Sequence, residues 1–368
     1  MNLVETLGAE IGVRQAGTPE AARAAEAVAH AFAQLGLDPL YQEFSLLGYD
    51  ADEPELEIDG ERWDAGPCIY AHPTDGPVEG TVRWIGTTEI GEFFPPAHAF
   101  VVEDANGHEL ARLYASPFGG PAIPFITAPR QIVVGPTVFI GGADADRLRE
   151  RDGAHARVHV KGRFVPGRRE RNVIAEQPGE SDEAVVVSAH FDSVWRGPGV
   201  IDNATGIEGI RRVAERLRGR TLPRAVIYCA FAAEEIGLIG ARNFVFEAQT
   251  RGQFERIKAI VNLDCIAHGD RMEVMASPDE LRERARAEAK TLGLEAKYDI
   301  HYGPSETGVD AYPFTEVNVP AVSILHFPYP EYHLPEERLE LVDEQKLADC
   351  VDLAVALVES IAASPPGR

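Results

Sequence analysis

The chain has 368 residues, of which 45% are hydrophobic, and carries a formal net charge of −24 at pH 7. This composition predicts a folded protein with a sizeable core, built as one large domain or two. The negative charge argues against nucleic acid and anionic membranes as partners, because both would repel the chain. No stretch reaches the ~18 consecutive apolar residues typical of a membrane-spanning helix.

The first residues and the cysteines indicate a cytoplasmic protein. The opening MNLVETLGAEIG lacks the basic start and the apolar run of a secretory signal. Cys68, Cys229, Cys265 and Cys350 form no C-x-x-C pair, which favours free thiols in a reducing compartment. We therefore expect a cytoplasmic location, and the sequence leaves homo-oligomerisation open.

The N-terminal region predicts one helix and then a β-rich insertion. Thr18 is an expected N-cap, Pro19 suits the first helical position, and Gly36 is a natural stop. Residues 50–165 carry short alternating runs such as ELEI and TVRWI, separated by Pro and Gly clusters. Because a structureless loop of that length is unusual, we interpret 50–165 as an inserted β-rich domain.

Beyond the insertion, strands and helices alternate. This pattern predicts an α/β fold, with a mixed, largely parallel central sheet and helices on both faces, formed by residues 1–49 and 166–368. A capping box of Ser277 and Glu280 is expected to start one helix. The predicted strands are Val173–Glu176, Val185–Ala189, Ala225–Phe231, Ile257–Asp264 and Ala321–Leu325, and the predicted helices are Thr205–Leu217, Leu238–Phe246, Asp279–Leu292 and Glu344–Ala362.

Acids and histidines follow the apolar runs, where open α/β sheets place their functional sites. Each alone has an ordinary interpretation, such as a solvated helix start or an N-cap acid. Together they match a two-metal hydrolytic site, which needs several carboxylate or imidazole ligands, one of them shared, and a carboxylate free to accept a proton. The candidates are His190, Asp192, Asp202, Glu234, Glu235, Asp264 and His333.

The motifs SAHFDS, GVIDNATG, CAFAAEEIGLIGARNF, AIVNLDCI and PEYHLPEERLELVD resemble those of the M28 family of co-catalytic zinc aminopeptidases. The resemblance covers most of Val173–Leu357 together with the N-terminal helix. The inserted region is similar, more weakly, to a protease-associated domain. The resemblance implies a zinc exopeptidase-like fold, a peptide substrate and two Zn²⁺ ions, although Co²⁺ and Mn²⁺ also suit such oxygen and nitrogen ligands.

The resemblance also implies which residues bind the ions. His190 and Asp264 match the ligands of one zinc ion, Glu235 and His333 match those of the other, and Asp202 matches the bridging ligand. The family often has a cis peptide bond after the bridging aspartate, which leads us to expect one here.

Four further residues match positions of the same family. Glu234 matches the general base that deprotonates the metal-bridged water and then protonates the leaving amine. Asp192 matches the acid that orients the first histidine ligand. Tyr332 matches a tyrosine that helps to hold the developing oxyanion. Asp310 matches an acidic position near the substrate pocket, although a turn-stabilising role is equally compatible with its sequence context.

The leading functional hypothesis is therefore a di-zinc aminopeptidase. A carboxypeptidase or N-acyl-amino-acid hydrolase on the same fold needs a cation to clamp a carboxylate, and Arg196 and Arg242 are the candidates by sequence. A glutaminyl cyclase-like transferase would use one zinc ion. The non-enzymatic alternative is a binding protein that has kept the fold, which loss of a ligand residue would have favoured.

Overall fold

A computed structural model describes residues 2–88, 96–116, 120, 134–305 and 307–364. The chain divides into two compact units. The first comprises Met1–Ser45, Arg169–Tyr329 and Pro335–Arg368, and the second comprises Leu46–Arg168 and Pro330–Leu334. The domain boundaries expected from the sequence, and the likeness of the insertion to a protease-associated domain, stay predictions.

The two units together contain the following strands and helices. In chain order the strands are β1 (Leu40–Ala51), β2 (Glu55–Ile58), β3 (Glu61–Trp63), β4 (Gly66–Pro67), β5 (Val78–Thr88), β6 (Ala97–Glu103), β7 (Glu109–Ala115), β8 (Thr137–Ile140), β9 (His155–His159), β10 (Gly162–Gln177), β11 (Ser181–His190), β12 (Arg224–Phe231), β13 (Ile257–Leu263), β14 (Arg271–Ser277), β15 (Ile300–Gly303) and β16 (Ala321–Phe327). The α-helices are α1 (Leu3–Glu5), α2 (Pro19–Gln34), α3 (Ala145–Arg149), α4 (Gly206–Leu217), α5 (Ile239–Thr250), α6 (Asp279–Thr291), α7 (Tyr312–Thr315) and α8 (Glu344–Ala362).

One eight-stranded sheet has the order β1-β10-β12-β11-β13-β16-β14-β15. Its four central strands pair in parallel, whereas β10 and β14 join them antiparallel. Every residue of β12 is buried, as expected of a strand covered on both faces. The mixed, largely parallel sheet and its helices confirm the predicted α/β fold class.

The valine run of β11 shows why this region forms a strand. Val185, Val186 and Val187 are β-branched and fully buried, and burying each such side chain contributes roughly 1.5–3 kcal/mol. Helix α4 packs against β11 and also against α8, so the sheet's central strands are shielded from water. The ends of these strands are therefore held by a rigid core, which is what positions the residues that follow them.

The helix boundaries agree with the sequence in most places. Thr18 caps α2 as predicted, with its hydroxyl accepting from the Ala21 amide at 3.2 Å. The prediction of a capping box at the start of α6 is wrong. Pro278 occupies the cap position without a side-chain cap, and the Ser277 hydroxyl instead accepts from the Ser305 amide at 3.0 Å. A long-range contact has thus displaced the local one.

The second sheet also has eight strands, in the order β3-β2-β9-β5-β6-β7-β8-β4. It is mostly antiparallel, with β7 and β8 as a parallel pair. Alternate residues of β2 face its core, where Leu56 and Ile58 are fully buried. Among the described residues of the insertion, the β-rich texture read from the sequence thus corresponds to a real sheet.

Two further expectations concern the whole chain. No helix within the described ranges combines the length and apolar character needed to cross a membrane. All four cysteines are free thiols, and three of them are buried. A cytoplasmic location stays a prediction.

Glu170 of β10 gives the fold a pH dependence that can be measured. Its buried carboxylate accepts hydrogen bonds from the Gly17 and Arg171 amides, yet burial raises its pKa to about 7. Because the folded pKa lies above the ordinary value of 4.5, the folded state binds this proton more tightly than the unfolded state. The resulting stability is fully present below pH 4.5 and is lost as the pH rises through about 7.

We predict that Glu170→Gln flattens this dependence. The free energy of unfolding of the wild type should fall between pH 4.5 and 7 by more than that of the variant, with a difference on the order of 3 kcal/mol. Urea unfolding at several pH values measures this difference. Equal slopes for the two proteins would contradict the assignment.

Candidate metal centre

Five of the predicted site residues end or closely follow three neighbouring parallel strands, namely His190, Asp192, Glu234, Glu235 and Asp264. The register pairs His190, the last residue of β11, with Phe231, the last residue of β12. On the other side, Ser188 of β11 is level with Asn262 of β13, so Asp264 emerges level with His190. The carboxyl ends of the strands thus meet at one edge of the sheet, as the sequence predicts.

His190 lies at the centre of a buried group of acids. Its Nε2 atom is 3.0 Å from Asp202 Oδ1, 3.5 Å from Asp264 Oδ1 and 4.0 Å from Glu234 Oε2. Only 1% of the His190 side chain is exposed. One imidazole nitrogen therefore faces three carboxylates, an arrangement suited to a shared cation.

The structure brings the candidate ligands together in triplets whose donor atoms lie within 4.8 Å of one another. One triplet is His190, Asp202 and Asp264, and another is Asp202, Glu235 and His333. Asp202 is common to both. These are the same groupings that the family resemblance implies for two ions, and the ligand roles themselves stay a prediction. A third triplet, His190, Glu234 and Glu235, is also close enough to bind a cation.

Asp192 holds the two adjacent glutamates by their backbone. Its Oδ1 atom accepts from the Glu234 amide at 3.1 Å, and its Oδ2 atom accepts from the Glu235 amide at 3.3 Å. Oδ1 also lies 3.6 Å from His190 Nδ1. The sequence anticipated only the contact with the histidine. The fully buried Asp192 side chain therefore joins the ends of β11 and β12.

The backbone around Asp202 is fixed by two side chains. Glu337 Oε1 accepts from the amides of Ile201 and Asp202 at 2.7 and 2.8 Å. Asn203 Nδ2 donates to the Leu263 carbonyl at 3.0 Å, which ties this turn to the residue just before Asp264. The Asp202–Asn203 peptide bond is cis, so that expectation is confirmed.

Several residues of the site adopt a left-handed backbone conformation, which is uncommon outside glycine. Ala233 has φ 58° just before Glu234, Cys265 has φ 50° just after Asp264, and His333 itself has φ 61°. Such conformations cost of order 1–3 kcal/mol each and persist where the surrounding structure enforces them, often at functional sites. Their concentration here indicates that the surrounding structure enforces unfavourable backbone conformations in order to place the side chains of the site.

Burial and crowding shift the proton affinities of these groups. Burial raises the pKa of Glu234 well above its usual value, and Glu235 raises it further against the pull of His190. Burial also raises the pKa of Asp264. In His190, burial lowers the pKa, but Glu234 and Asp264 outweigh it, so that the pKa stands well above its usual value.

This donor set fits zinc. Imidazole and carboxylate groups are the usual nitrogen and oxygen ligands of that ion, and a divalent cation favours the ionised form of every crowded acid.

Two predicted residues lie at the margin of this group. The ring of the half-buried Tyr332 stacks on His333, with the ring centroids 3.8 Å apart. Asp310 is fully buried, and within the described ranges neither of its carboxylate oxygens has a hydrogen-bond partner. Burial raises the pKa of Asp310 well above its usual value. The described contacts of Asp310 thus include no side-chain hydrogen bond of the turn-stabilising kind, and its place near a substrate pocket stays a prediction.

Sequence reasoning missed three residues that shape the site. Asn203 and Glu337 lie inside quoted motifs, but their partners are backbone groups that no motif specifies. Arg14 gave no signal at all, since it is a single basic residue in a short polar stretch. It is nevertheless among the largest fully buried side chains of the protein. Contacts of this kind depend on the tertiary fold rather than on spacing.

The sequence of this chain is similar to those of known peptidases. The model of peptidase family M28 matches residues 172–358. The chain is 26% identical to aminopeptidase YwaD of Bacillus subtilis (strain 168), in a match covering 48% of this chain and 40% of that protein. It is 40% identical to leucine aminopeptidase 2 of Trichophyton equinum, over 26% of this chain and 19% of that protein. The matches thus span less than half the length of these relatives.

The fold has close structural counterparts as well. It resembles that of BSAP, a zinc aminopeptidase from Bacillus subtilis, with a TM-score of 0.76 over 97% of this chain and 93% of that chain. The two sequences are 20% identical, so this likeness establishes the fold. The family model matches just over half of the chain, in the part that carries the candidate ligands. The predicted resemblance is confirmed, and the chain belongs to peptidase family M28.

Proposed function

We propose that this protein is a di-zinc aminopeptidase that cleaves the N-terminal residue from peptides. The observation that supports this most is that Asp202 belongs to two triplets of ligand atoms, as a carboxylate shared by two ions must. His190 and Asp264 would hold one ion with Asp202, and Glu235 and His333 would hold the other. When bound, the zinc ions supply polarisation of the scissile carbonyl and a lowered pKa for the attacking water.

Proton transfer falls to Glu234. Its carboxylate is buried, and burial favours the protonated form, so it holds a proton more readily than an exposed glutamate. A group of this kind accepts a proton from water and then donates it to the leaving amine. Asp192 fixes the backbone of both Glu234 and Glu235 by accepting from their amides, which supports separate roles for the two side chains.

Substrate recognition uses the surplus of acids. A free N-terminal ammonium is attracted to the carboxylates that include Glu234 and Asp310. The Tyr332 hydroxyl is proposed to hydrogen-bond the oxygen that becomes negatively charged during attack. A carboxypeptidase would need a cation to bind the substrate carboxylate instead, and Arg242, one of its candidates, pairs with Glu316 at 2.7 Å. This contact favours the aminopeptidase.

A substrate screen tests the proposal directly. Metal-quantified protein should hydrolyse N-terminal amino acid amides and short peptides, and N-acetylation should abolish the reaction because it removes the ammonium. Chelation should stop turnover, and added zinc should restore it. Preference for N-acylated substrates would support the acyl-amino-acid hydrolase, and metal binding without hydrolysis would support the binding protein.

Glu234→Gln should keep both metal ions and lose turnover. General acid–base catalysis contributes about 10²–10⁴-fold, so we expect kcat to fall by that factor. Metal content and kcat are measured on the same preparation. The matched control is Glu235→Gln at the next position, which should lose metal instead. Near-normal turnover by Glu234→Gln would exclude it as the base.

His333→Ala should weaken one ion selectively. The triplet of His190, Asp202 and Asp264 remains complete in this variant, so about one ion per chain should survive dialysis instead of two. Elemental analysis gives the ratio. His301→Ala, at a half-exposed histidine that pairs with Glu273, serves as the control. Two tightly held ions in His333→Ala would refute the ligand assignment.

Asp192→Asn should impair both metal binding and catalysis. The substituted amide group can accept only through one oxygen, so one of the two glutamate amides loses its acceptor. Loss of such supporting contacts typically costs 10–100-fold in metal affinity or activity. Metal affinity and kcat/KM are measured beside Asp270→Asn, at an exposed position. Wild-type values in Asp192→Asn would show that the contact has no functional weight.

A further inference from the structure

Arg14 is a fully buried arginine whose side chain binds backbone carbonyls. Its Nη1 atom donates to the carbonyls of Leu7 and Gly12 at 3.3 and 3.1 Å, and Nη2 donates to the Gly199 carbonyl at 2.7 Å. Nε donates to the Phe191 carbonyl, and Nη1 also donates to that of Pro198. These contacts use the planar fork of a guanidinium, which offers five donors in fixed directions.

The backbone of Arg14 adds to this attachment. Its amide donates to the Ser193 hydroxyl at 3.0 Å, and its carbonyl accepts from the Ser193 amide at 3.3 Å. The partners therefore lie at both ends of one segment, from Phe191 to Gly199. That segment is the connection between His190, at the end of β11, and the turn that carries Asp202.

The positive charge of Arg14 interacts with the acids of the site. Burial lowers its pKa to about 10, so the group stays positively charged at neutral pH. The charges that oppose this effect are those of Asp192, Glu337, Asp202 and Glu235, in that order. Burying a charge is costly unless it is compensated. The acids that compensate the buried charge of Arg14 include candidate metal ligands, so this cation is coupled to the site electrostatically as well as through its contacts with the backbone.

We propose that Arg14 is a positioning residue for the metal centre, which holds the Phe191–Gly199 segment in the shape that presents His190 and Asp202 together before a metal ion binds. The inference rests on the proposed function, because it assumes that these residues bind metal. A ligand set that is ordered in advance does not lose conformational freedom when the ion arrives, and therefore binds it more tightly.

Arg14→Lys tests this proposal because lysine keeps the positive charge but loses the fork. The matched control is Arg224→Lys, at a buried arginine of β12 that also donates to a backbone carbonyl, that of Ile361, and that pairs with Glu183. Zinc affinity is measured by competition with a chromophoric chelator, the ligand field by the visible absorption of the cobalt-substituted protein, and stability by thermal unfolding of the metal-free protein.

We expect Arg14→Lys to bind zinc about 10–100-fold more weakly and to change the cobalt spectrum. Arg224→Lys should lose comparable stability and keep wild-type affinity. Wild-type affinity and an unchanged spectrum in Arg14→Lys would overturn the proposal and leave Arg14 a structural residue. If that variant does not fold, Ser193→Ala removes a single contact of the same segment and should weaken zinc binding in the same direction. Wild-type affinity in Ser193→Ala would then overturn the proposal.

The outcomes for the wild type separate this inference from the proposed function. Wild-type protein that binds zinc but cleaves no peptide overturns the aminopeptidase assignment alone. Wild-type protein that binds no zinc overturns both. A loss of zinc affinity confined to Arg14→Lys supports the positioning role whatever the substrate proves to be.

Discussion

Buried carboxylates repel one another strongly, because the protein interior screens charge far less than water does. Such groups are concentrated around His190, at the edge of the sheet where β11, β12 and β13 end. Many of the surrounding groups reduce the repulsion between them. Asp192 is compensated by two backbone amides, Glu337 by two more, and the pKa values of Glu234 and Asp264 are raised. The buried Arg14 compensates part of the charge, and the divalent cations that we propose would compensate more, which would couple metal binding to the folding of this edge.

The backbone around the site adopts uncommon conformations. Left-handed residues stand directly beside Glu234 and Asp264, and a cis peptide bond follows Asp202. Strands deliver side chains to alternating faces, so two adjacent residues cannot both point at one centre without a change of backbone direction. The turn at Ala233 provides such a change, and the amide contacts of Asp192 hold it. The rigid strands therefore fix the position of the site, and the turns that follow them direct its side chains toward one centre.

Most of the fold could be predicted because its signals are local. The apolar run of β12 and the periodic apolar face of α8 place those elements within a residue of their observed bounds. The ligand candidates were accessible for the same reason, since each follows a strand or precedes a helix. The strands β14 and β15 were missed, because Ile300–Gly303 has only four residues and Arg271–Ser277 has charged residues within its apolar run, unlike the central strands.

Residues that act through the backbone were beyond reach of the sequence. Glu337 is one of several acids in PEERLE, and only the fold shows that it accepts the amides of Ile201 and Asp202. The failed capping box has the same origin, since Ser277 found a partner far along the chain instead of its own helix. Sequence motifs identify the residues that contact a ligand. The residues that hold those ligand-binding residues in place can be identified only from the three-dimensional structure.

The contacts of Arg14 also bear on whether this chain can be shortened to a smaller fragment. The family model begins at residue 172, yet the segment from Phe191 to Gly199 closes around an arginine near the N-terminus. The Leu3 amide likewise donates to the buried Glu208 carboxylate of α4 at 3.3 Å. A fragment cut to the matched residues would expose these polar groups and the apolar surface around them. The part of the chain that carries the candidate ligands therefore depends on contacts with residues near the N-terminus that a fragment of residues 172–358 would lack.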